Sequence, residues 1–412
     1  MWRPGGSDES LAADSTPTSR SAFVFKDLPP LTALTPEQSD VQRTARAFAQ
    51  AELAPHAAEW DEKAFFEPSI VRKLGDLGFL GMLVPEAYDG LGLDCLTYLI
   101  AIEEIAAADA STAVLMSVHN SLPTQMILNY GTEQQKKEWL RPMVRGDRLG
   151  CFALSEADAG SDAASLATQA VRDGDHWVLN GTKAWVSHGS DPNAVVVAMA
   201  RTDTSEARRG RNGISAFIVT PDMAGFRVSK KENKMGLRAS PTVQLSFDNM
   251  RVPADRLVGE EGQGFAYALQ SLEHGRMGVA AQAIGIARAA VEASVAYAAE
   301  RKQFGKSIDE FQAIQWKLAD MATRVQTARA LLHATAAMKD RGESPGAYTA
   351  MCKLVASETA MWVTTQAVQV FGGYGYVKEY PVERLFRDAK VTEIYEGTSE
   401  IQRVIIGRAV TE

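Results

Sequence analysis

Near the end of the chain a glutamate stands between an aromatic residue and a glycine, Tyr395-Glu396-Gly397. A carboxylate can serve as a general base once desolvation lifts its pKa toward the working pH. The glycine beside it lets a substrate approach closely. Taken alone, the same glutamate reads better as a surface carboxylate near a helix start. Glu273 and Arg276 form a second charged pair, spaced i,i+3, which is the spacing of a simple ion pair on a helix surface. Metal chemistry has no sequence signal: His56, His119, His176, His188, His274 and His333 form no HExxH pair. Cys95, Cys151 and Cys352 are far apart with no CxxC spacing, which implies reduced thiols rather than a disulfide framework or zinc site.

The chain has 412 residues, of which 46% are hydrophobic and 23% charged, enough for two to four domains with sizeable cores. Its formal net charge of -8 argues against nucleic acid as a partner. A few well-placed cations could still hold an anionic ligand. No stretch reads as a membrane span or signal peptide. The most apolar one, 95–116, is broken by Glu103, Glu104 and Asp109. Cytoplasm is the expected location. Residues 1–34, rich in Pro, Ser and Thr, are expected to form a poorly ordered tail.

Three segments follow with different periodicities, giving an α+β multidomain plan. From 35 to 150 the apolar spacing is helical, as in Val41, Ala45 and Phe48. Thr35, Pro36 and Gln38 mark its start with an N-cap, a first-turn proline and a capping-box partner. From 151 to 262 the signal is β: Trp177-Val178-Leu179 and Ala184-Trp185-Val186 flank Asn180-Gly181, a strong hairpin cue. Further strands are expected over 194–199, 214–219 and 243–247. An arginine-rich loop near Arg208, Arg209 and Arg211 reads as solvated. From 263 to 412 the helical pattern returns. Gly275, Gly278, Ala280, Ala281, Ala283, Gly285 and Ala287 crowd one long helix, which implies close approach of neighbouring backbones in a bundle, with a subunit interface.

Three runs carry more specific information: Phe152-Ala153-Leu154-Ser155-Glu156-Ala157-Asp158-Ala159-Gly160-Ser161-Asp162; Arg301-Lys302-Gln303-Phe304-Gly305 with Phe311-Gln312; and 369–375 with Tyr395-Glu396-Gly397-Thr398-Ser399-Glu400-Ile401-Gln402-Arg403. In this order and spacing they resemble the acyl-CoA dehydrogenase family from about residue 34 to the end, nearest its short-chain and short-branched members. The resemblance implies FAD as cofactor. Phe152, Leu154, Ser155, Gly160 and Ser161 match a loop along the flavin, whose small residues and N–H groups suit close approach. Trp185 and Ser187 match strand positions that cover and hydrogen-bond its ring system. Arg301, Gln303, Phe304 and Gln312, joined by Gln369, Gly372 and Gly373, match a group reaching into a neighbouring subunit's FAD. Thr398 and Glu400 match contacts just after the base. The site would then be shared in a homo-oligomer, by family habit a tetramer. Where the family commonly has proline, this chain has Ala157, which removes a φ restraint from the flavin loop.

The chemistry so implied is α,β-dehydrogenation of a short or branched acyl-CoA to the trans-2-enoyl-CoA, in fatty-acid or branched-chain amino-acid catabolism. Glu396 would take the α-proton while flavin accepts hydride from Cβ, with electrons passing to an electron-transfer flavoprotein. The backbone N–H of Glu396, with a flavin ribityl hydroxyl, would bind the thioester oxygen. Some branches carry the base on another helix at the position of Gly275, which has no side chain. Glu273, two residues away, is turned by about 200° on a helix. Ser161, Glu273, Arg276, Tyr395 and Gly397 match positions beside the substrate. His188 follows the flavin-covering strand, with a structural or solvent-exposed role. An oxygen-using oxidase or monooxygenase of the same fold is an alternative, as is a non-catalytic flavin- or acyl-CoA-binding subunit.

Overall fold

A computed structural model describes residues 28–203 and 212–412. Residues 1–27 of the expected tail, and Arg208, Arg209 and Arg211, lie outside them. The first helix, Pro36–Phe48, starts as its sequence dictates: the Gln38 N–H donates to the Thr35 hydroxyl, and the Thr35 N–H to the Gln38 side chain, both at 3.1 Å. Residues 28–34, expected to belong to the tail, are held against the helical core. Leu28 is buried, and its carbonyl accepts from Arg329 at 2.5 Å. Gln326 donates to the Pro29 carbonyl, and Thr32 bonds His333. Carbonyls anchor this segment, and a carbonyl carries no sequence signal.

The middle of the chain forms strands β1 (Leu149–Ala153), β2 (Gln169–Asp173), β3 (His176–Ser187), β4 (Ala194–Arg201), β5 (Ile214–Val219), β6 (Phe226–Lys231), β7 (Thr242–Pro253) and β8 (Leu257–Val258). They make one sheet in the order β6-β7-β3-β2-β4-β5-β8, with β1 parallel to β4. The Asn180-Gly181 hairpin does not form. β3 runs straight through that dipeptide, with a bulge against β7. The hairpin lies instead at Gly174-Asp175, between β2 and β3, where Gly174 has φ +61°. Gly181 serves close approach: a Cβ there would sit 2.4 Å from the Thr168 hydroxyl. Alternate residues of a strand face opposite ways, and β4 is buried on both sides. Val195, Val197 and Met199 join a core with Trp139, Leu140 and Phe265 of the flanking helices. Val196, Ala198 and Ala200 join Trp177 and Phe217 inside the β domain.

The C-terminal bundle is built on Gly264–Glu300, Gln312–Asp340 and Ala347–Phe371. By length and composition, Gly264–Glu300, and not 95–116, is the helix apolar enough to cross a membrane among the described residues. Most of its apolar window is buried against other helices of the chain. Its small residues are used for that packing rather than for contact with another subunit. A Cβ on Gly285 would lie 2.5 Å from the Glu103 carbonyl, and one on Gly278 2.3 Å from the Ser117 hydroxyl. The helices approached are Cys95–Ala108 and Ala110–Ser121 of the N-terminal segment.

Four buried charges lock this contact. Arg329 grips Glu103 with two nitrogens, at 2.6 and 3.1 Å. Arg288 donates to Glu104 at 2.7 Å and lies 3.0 Å from Glu103. Burial pushes the Glu103 pKa up, but Arg329 and Arg288 outweigh it and hold the carboxyl below its usual range. Removing one partner of such a group strands a buried charge. Arg329→Met should therefore lower unfolding stability by ~3–5 kcal/mol in a denaturant titration, whereas breaking the exposed Lys63–Glu59 pair should leave the midpoint almost unmoved.

Candidate active site

Glu396 sits in a turn between a short helix, Val382–Lys390, and the last one, Ser399–Thr411. Both turn residues are left-handed: Glu396 has φ +53° and Gly397 φ +95°. A glutamate held at positive φ is uncommon and persists only where the surroundings enforce it. Here Lys353 donates to the Gly397 carbonyl at 2.8 Å, and Gln402 donates to the same oxygen at 2.8 Å and to the Glu396 carbonyl at 3.2 Å. The Thr398 hydroxyl caps the helix that follows.

The Glu396 carboxylate points toward Gly264–Glu300. A Cβ on Gly275 would lie 2.0 Å from its Oε2, so only glycine leaves room for it. Both carboxylate oxygens are buried with no hydrogen-bond partner among the described residues. A buried acceptor without a partner is costly, and it is the signature of a group kept ready for something else. Burial pushes its pKa up to about 7, with Arg276 and Lys353 opposing the rise. Arg276 is itself buried enough that its pKa falls, and its Nε has no partner. Glu273 and Arg276 make no ion pair; Glu273 acts on Arg276 only through its field. One turn beyond Gly275, Gly278 faces the Ser117 hydroxyl and, at 3.2 Å from its would-be Cβ, the Tyr98 hydroxyl. Tyr395 donates to Gln282, whose amide donates to the Ala110 carbonyl at 2.9 Å.

A second group gathers on the β domain. The Ala184 N–H donates to the Ser155 carbonyl at 2.8 Å, tying the 152–161 loop to the strand that carries Trp185 and Ser187. Lys183, fully buried, donates to the Leu154 carbonyl and to Glu156, at 3.2 and 2.7 Å. Glu156 also accepts the N–H groups of Ala167 and Thr168, so the loop is fastened at both ends despite Ala157. Leu154 is buried in the core below, and Phe152 packs against both the helical core and the core beneath β4. Gly160 and Ser161 are exposed, with nothing within 4 Å of a Cβ on Gly160. Trp185 is 60% exposed at φ +62°. An aromatic face held open beside backbone that a ligand can approach closely fits a flat ring system. His188 is buried against Phe66 and Ser240, which depresses its pKa to about 3, so its role here is structural.

A third group lies at the far end of the bundle. Arg301, Gln303, Gly372 and Gly373 line one cavity of about 910 Å³ with Tyr374 and Tyr380. Phe304 tips a two-residue hairpin, Lys302–Gln303 against Lys306–Ser307, whose central residues Phe304 and Gly305 both have positive φ, as such turns require. Its ring is 94% exposed. Gln312 and Gln369 are exposed nearby on helix ends, and Glu400 is exposed in the first turn of the last helix. Among the described residues no hydrogen bond or ion pair joins this third group to the second. Lys183, Lys353, Gln402 and Ser117 were not singled out from the sequence. A buried lysine leaves no periodic trace that separates it from an exposed one.

The chain matches the family models described as acyl-CoA dehydrogenase N-terminal domain over 35–147, middle domain over 151–250 and C-terminal domain over 262–411. It is 50% identical over 366 residues to the mitochondrial short-chain specific acyl-CoA dehydrogenase of Bos taurus, covering 89% of this chain and 88% of that one. Its fold is similar to that of the butyryl-CoA dehydrogenase from Megasphaera elsdenii, with TM-score 0.90 and 43% identity over 92% of this chain and all of the other. It is also similar to a glutaryl-CoA dehydrogenase from Mycobacterium smegmatis in complex with FADH2, with TM-score 0.86 and 34% identity over 92% and 95% of the two chains. The helical, β, helical order, the open aromatic at Trp185 and the dry carboxylate at Glu396 thus stand within a match that runs almost the whole length: this chain belongs to the acyl-CoA dehydrogenase family.

Proposed function

We propose that this acyl-CoA dehydrogenase acts on short-chain acyl-CoAs, straight or branched, with Glu396 as the base that removes the α-proton. The observation that carries the reading is the buried, unpartnered carboxylate facing Gly275. The short-chain part is supported by the relatives and by Tyr98 and Ser117, which stand one turn beyond Gly275 where a long chain would need room.

FAD, which the Phe152–Ser161 loop, Trp185 and Ser187 would hold, would supply the acceptor for the hydride, and with it the two electrons, leaving Cβ. The protein's own work is on the other hydrogen. A Cα–H is weakly acidic, so the base must be dry, close and ionised. The Glu396 carboxylate, desolvated but balanced by Arg276 and Lys353, takes that proton on oxygen. No acceptor within the described chain takes up the Glu396 N–H, leaving it available to a thioester oxygen. The thioester polarised in this way gives up its α-proton more readily. The exposed third group, with Phe304 at its tip, supports a site completed by another copy of the chain, and an electron-transfer flavoprotein is the proposed electron acceptor.

An anaerobic titration with propionyl-, butyryl-, isobutyryl- and palmitoyl-CoA should bleach the flavin absorbance with the short chains and not with palmitoyl-CoA. Bleaching by palmitoyl-CoA alone would overturn the substrate assignment. Glu396→Gln should keep flavin and ligand binding while turnover falls by about 10²–10⁴-fold; unchanged turnover would rule Glu396 out. Since the working form is the carboxylate and its pKa lies at about 7, kcat/KM should fall as pH drops through that value, by roughly tenfold per unit below it. A profile flat from pH 5 to 8 would contradict the raised pKa.

A further inference from the structure

Lys353 is one of the largest fully buried side chains of the protein, and it makes one hydrogen bond, to the Gly397 carbonyl. Burying an ammonium is costly unless it is paired, and no carboxylate lies within ion-pair distance of it among the described residues. Its pKa is correspondingly pushed down to about 8 by burial, with Glu396, then Glu393, working the other way. A structural helix position would be filled more stably by leucine or methionine. The charge has one evident object: the turn that carries Glu396.

We propose that Lys353 is a positioning residue for Glu396: sharing the Gly397 carbonyl with Gln402, it fixes the left-handed Glu396–Gly397 turn and so aims the carboxylate across Gly275. The inference rests on Glu396 being the base. Geometry supports a division of labour between the two donors. Gln402 is neutral and belongs to the helix that follows the turn, whereas Lys353 is charged and belongs to Ala347–Phe371. Both hold the backbone, but only Lys353 adds a field that favours the ionised carboxylate. The other groups whose fields reach Glu396 or Lys353 are Arg276 on Gly264–Glu300, Tyr98 on Cys95–Ala108, Tyr395 beside the base, and Glu393 and Glu400 around the turn. Of these, Arg276 is the other cation acting on Glu396, so loss of Lys353 leaves Arg276 as the single cation opposing the rise among the groups named.

The test reads Glu396 directly. In the FAD-loaded enzyme, the protonated-carboxyl infrared band that disappears in Glu396→Gln is titrated with pH, and kcat and KM are measured on the plateau. Lys353→Met should raise the band's midpoint by about one pH unit or more, since an opposite charge nearby has been lost. It should also lower plateau kcat by about tenfold with KM within about threefold, as misaligned reacting groups do. Lys353→Gln keeps a donor but not the charge, so it should move the midpoint and retain most of kcat. Gln402→Leu should lower kcat and leave the midpoint in place. Unmoved midpoints in both Lys353 variants overturn the proposal, as does a Lys353→Met enzyme with wild-type plateau kcat. If Lys353→Met does not fold, the midpoint in Lys353→Gln decides alone. A failure of the base assignment is separate, because it shows as full turnover in Glu396→Gln.

Discussion

The contact between Gly264–Glu300 and the N-terminal helices sets the geometry on which the rest depends. Two glutamates of Cys95–Ala108 are buried with two arginines, Glu103 and Glu104 against Arg288 of Gly264–Glu300 and Arg329 of Gln312–Asp340. Such a set is stable only with every charge answered, so it admits few relative placements of the helices. Gly285 and Gly278 let the backbones close to the distance the charges require. That same closeness puts Ser117 and Tyr98 beside Gly278, one turn from the glycine that faces Glu396. The surroundings of Gly278 are therefore fixed by an electrostatic lock almost three turns along the helix, at Arg288.

The candidate site joins elements distant in sequence, and they are held by different means. The β-domain loop is fastened by a buried lysine to a carboxylate, Lys183 to Glu156. The Glu396–Gly397 turn is fastened by a buried lysine to a carbonyl. In each case a cation is anchored in the interior and reaches outward to irregular backbone. The Glu396 carboxylate is left unbonded, so the polypeptide around it carries the precision that the carboxylate's own hydrogen bonds would otherwise give.

Much of this was legible in the residues, and what was not has physical reasons. Periodicity separated helical from β segments, and the cap at Thr35 fell where its chemistry required. Glycines were harder. Asn180-Gly181 has the composition of a turn, but its glycine exists to clear Thr168 from within a strand. The small residues of Gly264–Glu300 implied close backbones correctly, yet could not say whose backbones. The tail boundary was misplaced because Leu28 and Pro29 are anchored through carbonyls, which every residue has. Around Glu396, the motif singled out the carboxylate itself, while Lys353 and Gln402 became visible only when the chain brought distant helices under the turn.

The double burial of β4 carries a consequence for how sequence change is read out in this molecule. Odd-numbered positions from 195 to 199 face the core shared with Trp139 and Phe265, and even-numbered ones from 196 to 200 face Trp177 and Phe217. The parity of a residue number thus decides which partner hears of a substitution. A change at Val197 presses on the helices packed beneath the 152–161 loop, whereas one at Ala198 stays within the β domain. The strand acts as a wall between two tenants, and neither can be rebuilt through it without the other's neighbour remaining in place.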